Sequence, residues 1–172
     1  MLINRRRFIA GASAAGLMVQ AAPAAALVQE RFHTLMRHVM GLTWVGQARA
    51  RDDNFEGGEV VTALGLKFGL RDDWSYEGAM MEILNYGGQH YKATFKITGE
   101  CWTIGNDAGV SIYRSQLMER DPLPEGFEWN TSRGDFKFYN DSNREGHFTL
   151  QGLLTSDTDG AVSRVNLTDA AG

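Results

Sequence analysis

Between Trp74 and Asn85 the chain alternates so that both sides of one extended segment carry an acid. One face reads Trp74, Tyr76, Gly78, Met80, Glu82, Leu84 and the other Ser75, Glu77, Ala79, Met81, Ile83, Asn85. A strand sends successive side chains to opposite faces, so whichever face turns inward takes a carboxylate with it. Glu82, on the more apolar and aromatic face, is the first candidate for an internal acid and Glu77 the second. Burial without a partner raises a carboxyl's pKa, which suits general acid or base work. The structural alternative is a carboxylate at a wet barrel mouth or one tied to arginine. Arg114 stands in phase with Val110 and Ile112, and Arg164 in phase with Val162, so both are expected to point inward. One of the two is expected to face Glu82. An internal Arg that is not so paired would hold a ligand carboxylate by a fork of two hydrogen bonds.

Other chemistries find little support. His33 and His38 are five residues apart, whereas helical metal ligands sit at i, i+3 or i+4. His90 opens a strand, and His147 is a strand-end histidine before it is an axial haem ligand. The acidic runs Asp52-Asp53-Asn54 and Asp157 to Gly160 do not continue into the twelve-residue calcium pattern and read as turns. No Gly-x-Ser-x-Gly elbow is present, and the Gly65-Leu66-Lys67-Phe68-Gly69 run sits inside a strand, so hydrolase and nucleotide readings fall away. No metal and no cofactor are expected. Cys101 is the single cysteine, so no intramolecular disulfide forms, and in an apolar strand pattern it reads as a small buried hydrophobe.

The elements that must position these residues follow from periodicity. Val28, Phe32, Leu35, Met36, Val39 and Met40 have the spacing of an amphipathic helix over about 28–40, ending at Gly41. The period then changes. Thr62, Leu64, Leu66, Phe68, Leu70 and Tyr91, Ala93, Phe95, Ile97, Cys101 alternate with small or polar residues, as half-buried strands do. Further strands are expected near 42–50, 74–85, 109–118, 134–140, 145–155 and 161–168, with turns at 52–54, 71–73, 87–88, 105–107, 121–126, 140–143 and 157–160. About eight strands with short links predict a mainly β domain: an antiparallel eight-stranded meander closed into a barrel, with one N-terminal helix. A two-sheet sandwich is the alternative. If the barrel is open, Trp44, Trp74, Tyr76, Glu82, Phe95, Tyr113 and Phe138 are the expected ligand-binding residues; if it is filled, the aromatics are core. The proline-bearing loop 121–127 is a candidate lid, partner contact or rigid link.

The run Asn4-Arg5-Arg6-Arg7-Phe8-Ile9-Ala10 resembles the twin-arginine export consensus: a polar residue, two Arg, any residue, Phe and an aliphatic. The apolar stretch after it is too short for a stable membrane span, and Pro23, Ala24 and Ala26 suit peptidase cleavage after Ala26. The resemblance implies a signal peptide over 1–26, the twin-arginine machinery as a transient partner, a periplasmic or secreted mature domain over 27–172, and no membrane anchor after cleavage. It also implies folding before export, alone or with a protein partner. Of 17 Lys and Arg, three lie in the leader, which holds none of the 21 acids. The mature domain is therefore acidic, at about −7, and no nucleic acid is expected as a partner.

A helix followed by Gly41-Leu42-Thr43-Trp44-Val45-Gly46 and a strand meander also resembles the start of a lipocalin-like, or calycin, barrel, although that family separates Gly from Trp by one residue and here two intervene. The resemblance implies a cup that receives a small apolar or amphipathic molecule. The expectation is thus an exported small-molecule binding protein. Two alternatives stand beside it: a cyclase- or isomerase-type enzyme using Glu82 with Arg114 or Arg164, and a non-catalytic subunit exported with a partner.

Overall fold

A computed structural model of the chain describes residues 21–52, 58–141 and 143–170. Helix α1 (Ala21–Gly41) leads into eight strands: β1 (Thr43–Arg51), β2 (Glu59–Leu70), β3 (Ser75–Tyr86), β4 (Gln89–Ile104), β5 (Asp107–Arg120), β6 (Ser132–Asn140), β7 (Phe148–Ser156) and β8 (Val162–Asp169). The chain divides into two units, 1–34 and 35–172, and the end of α1 from Leu35 belongs with the strands. In the first unit the rings of Phe32 and His33 lie 5.9 Å apart. The expected leader falls largely on residues 1–20, which lie outside the described residues, and so does most of the expected turn at 52–54.

The strands form a closed antiparallel barrel in chain order, β1 pairing with both β2 and β8. Each connection is therefore a hairpin, and closure leaves no sheet edge to pair with another chain. Gly87 and Gly88, both with positive φ, make the β3–β4 reversal in two residues, a turn that favours residues without a Cβ. The alternation read from sequence holds. Leu64, Leu66 and Phe68 of β2 and Ala93, Phe95 and Ile97 of β4 are buried, while Lys67 and Lys92 are exposed.

One end of the barrel is plugged. Met36, Val39 and Met40 of α1 and Trp44 of β1 are each no more than 1% exposed. Trp44 packs against Phe138 with ring centroids 5.5 Å apart, and its indole N–H donates at 3.3 Å to the Val39 carbonyl, which also accepts the Leu42 N–H where the helix ends. Beside the plug, His147 Nδ1 lies 2.9 Å from buried Asp169, whose carboxylate also accepts the Phe148 N–H. His147 is thus a strand-end residue that ties β7 to β8.

Candidate functional site

The opposite end, where β1, β3, β5 and β7 finish, is open. A cavity of about 570 Å3 enters there, with an apolar wall that includes Ala48, Leu64 and Leu154 and a polar side formed by Glu82, Arg114 and Ser132. Trp44, Phe138 and the methionines of α1 fill the plugged end, whereas at the open end Ala48, Glu82, Arg114 and Ser132 stand beside Leu64 and Leu154 and leave a cavity between them.

Glu82 and Arg114 meet inside the barrel. Arg114 Nη1 donates to Glu82 Oε2, and the Thr62 hydroxyl donates to Glu82 Oε1 at 2.9 Å. Arg114 Nη2 donates to the backbone carbonyl of Asn130, in the segment leading to β6, and the guanidinium carbon sits 4.1 Å over the Phe95 ring. The side chains of the pair are only 9% and 14% exposed. Ion-pairing, two hydrogen-bonded carboxylate oxygens and a cation–π contact together compensate two charges taken out of water. Two polar atoms next to the pair have no partner among the described residues: Arg114 Nε and Ser132 Oγ. Ser132 is directly opposite Arg114 in the β5–β6 ladder.

The loop between β5 and β6 borders the cavity with Gly126, Phe127 and Glu128. Asp121 anchors its start through a carboxylate that accepts the Lys92 N–H at 2.8 Å, and a carbonyl that accepts the Trp129 indole N–H at 3.0 Å. Phe127 lies 4.9 Å from Tyr86, and Trp129 stands edge-on to Phe95 at 6.4 Å. The loop is thus fastened to β3, β4 and, through Asn130, to Arg114.

Not all of the residues expected from sequence gather here. Glu82 and Arg114 border the cavity, and Phe95 supports Arg114. Trp44 and Phe138 pack in the plug, and Tyr76 is buried in the core with its hydroxyl donating to the Ser111 carbonyl at 2.7 Å. Trp74 lies in the β2–β3 turn with φ of 65°, beside a separate depression shared with Arg37 and Phe68. Tyr113 is 46% exposed on the outer wall; being next to the inward Arg114 in a strand, it faces outward. Arg164 also requires correction, because it is exposed. The inward phase of β8 is Val165 and Leu167, whereas Val162, with which Arg164 is in register, is itself 49% exposed. Glu77 is outside, bonded to Arg71 at 2.7 Å and Lys96 at 3.3 Å, and these cations hold its carboxyl below the usual range. Ser132 and the Asn130 carbonyl are site groups that the sequence reading missed.

Among the described residues no cluster of three or more His, Cys, Asp or Glu side chains has metal-binding geometry. Comparison with protein-family models, with curated proteins and with solved structures finds no match. What the fold defines is a class: a closed eight-stranded barrel, plugged at one end, with a guanidinium–carboxylate pair at the cavity of the other.

Proposed function

We propose that the protein is an exported binding protein that holds a small, partly apolar molecule in the open end of its barrel. The observation that carries this reading is the cavity of about 570 Å3, which combines apolar wall residues with a few convergent polar groups in the manner of small-molecule sites. The lipocalin-like resemblance supports the same use of the barrel, and the twin-arginine resemblance supports a periplasmic or secreted setting. Binding is favoured over proton transfer because both Glu82 oxygens already accept a hydrogen bond, one of them from a permanent cation. A hollow end also fits a binding protein better than a filled, non-catalytic subunit.

Native mass spectrometry of the full chain, expressed in a bacterium with an active twin-arginine pathway, tests this reading. The expected species is the chain lacking residues 1–26, recovered from the periplasm with a small molecule attached that collisional activation removes. Replacing Arg5 and Arg6 with Lys should hold the precursor in the cytoplasm. Periplasmic protein that is always empty and takes up nothing from a lipid and metabolite extract overturns the binding reading. Export unaffected by the Lys substitutions overturns the leader.

A further inference from the structure

Resting on the binding reading, we infer that the cavity selects an uncharged ligand whose polar end is a hydrogen-bond acceptor of the carboxamide, ketone or lactone kind, and rejects the corresponding acid. Three independent observations point there.

Both terminal nitrogens of the guanidinium are already engaged, one of them by a carboxylate. Recognition of an acid by arginine uses two parallel N–H donors. Nη1 of Arg114 is engaged by Glu82 and Nη2 by the Asn130 carbonyl, and one face of the group lies on Phe95. The charge is met as well, so a ligand carboxylate entering beside Glu82 would add a second negative charge in a half-enclosed space where screening is weak.

The whole cavity lining leans the same way. It carries the carboxylates of Asp52, Glu82, Glu128 and Asp159 against the guanidinium groups of Arg51 and Arg114. An excess of acids in a concave site lowers the local concentration of anions and opposes their entry.

What the site lacks is an acceptor. Arg114 Nε and Ser132 Oγ have no partner among the described residues, although the side chains that bear them border the cavity. An unsatisfied buried donor is costly, and a bound group that accepts from it recovers that cost. A neutral carbonyl does so without adding charge. Ser132 can at the same time accept from a carboxamide N–H, because a hydroxyl both donates and accepts. Both atoms are covered in the unliganded site, so the contact requires the side-chain adjustment that commonly accompanies ligand entry.

The test uses three probes of one shape: phenylbutyramide, phenylbutyrate and phenylbutylamine, each titrated into the full-length mature protein by calorimetry and by amide and arginine Nε–H nuclear magnetic resonance. The amide should bind at least about tenfold more tightly than either charged probe, a gap of about 1.4 kcal/mol, and should move the Arg114 Nε–H resonance. Ser132→Ala should weaken the amide by about fivefold while leaving its order relative to the charged probes unchanged. Glu82→Gln removes the counter-charge and should raise affinity for phenylbutyrate above that for the amide. If that variant does not fold, the wild-type ranking and Ser132→Ala still decide. Phenylbutyrate or phenylbutylamine binding wild type as tightly as the amide overturns the ligand class and leaves the binding reading intact. Failure of all three probes to shift any cavity resonance overturns the binding reading itself.

Discussion

The Tyr76 hydroxyl of β3 donates to the Ser111 carbonyl of β5 at 2.7 Å, reaching across the intervening strand β4 at Gly99. A Cβ on Gly99 would lie 2.6 Å from that hydroxyl and 1.7 Å from the Ser111 oxygen. The Arg114–Glu82 pair makes a second strap over the same three strands, nearer the open end and above Phe95. Two internal ties thus span β3 to β5, where the cavity wall is built.

Tyr76→Phe should cost about 1–2 kcal/mol, the price of leaving a carbonyl without its donor. Gly99→Ala should cost more, because its methyl meets the Ser111 backbone, which cannot swing aside, as well as the Tyr76 hydroxyl. Urea unfolding midpoints of the two variants rank them, and an alanine milder than the phenylalanine would contradict the packing described at Gly99.

Glu82→Leu should destabilise by about 3–5 kcal/mol, because it strands a guanidinium away from water. Adding Arg114→Met should return at least about half of that, since both desolvation costs are then gone. A double-mutant cycle by denaturant unfolding checks the sign of the recovery.

Alkali should weaken the fold in a defined window. Burial pushes the Cys101 thiol from 9.0 up to about 11, and burial likewise pushes the Tyr76 phenol above its ordinary 10.0. Both groups are neutral more readily in the folded chain than in the unfolded one, so their contribution is complete below pH 9 and is lost as pH rises from 9 toward 11 and beyond. Unfolding midpoints measured across this range should fall, less steeply in Cys101→Ala. At neutral pH, Cys101 should react with a disulfide reagent about tenfold more slowly than a free thiol, its smaller thiolate fraction being partly offset by the greater nucleophilicity of a more basic thiolate.

Trp74 occupies the left-handed region with φ of 65°, where a side chain is strained. Trp74→Gly should therefore be about 1 kcal/mol more stable than Trp74→Ala, the reverse of their usual order in regular structure. Thermal unfolding of the two variants measures the difference.

The residues that were readable in the sequence are those in which parity and chemistry agree. Thr62 to Leu70 and Tyr91 to Cys101 alternate strictly, which fixes two strands and their inner faces. Glu82 and Arg114 fall in phase with apolar neighbours, and their meeting follows. Arg164 misleads because Val162 is an exposed valine, and one apolar residue cannot set the phase of a strand. Tyr113 misleads by its ring, although parity with the inward Arg114 sends it outward. Ser132 is in phase with Phe136 and Phe138, a signal available only to a reading that starts β6 two residues earlier than 134. The Asn130 carbonyl has no signature at all, since every residue carries one. Nor does the cavity, which depends on how strands and loop diverge at the mouth.

That divergence begins in β5. Opposite β4, Ile97 pairs with Arg114, Lys96 with Gln116, Phe95 with Leu117 and Thr94 with Glu119, so Ser115 and Met118 are extra residues. Pairing of β5 with β6 ends at Arg114. Each extra residue acts like a frameshift in a code read two letters at a time: before Ser115 the inner letters are 110, 112 and 114, and after it Leu117, opposite buried Phe95, takes the place that Gln116 would have held. Pairing Ser115 regularly at full length would bring Gln116 to the inner face, whereas deleting Ser115 would remove the bulge and leave Leu117 two places after Arg114, still facing in. Along this lip of the barrel, the letter that faces inward is set by which residue is left out of the pairing.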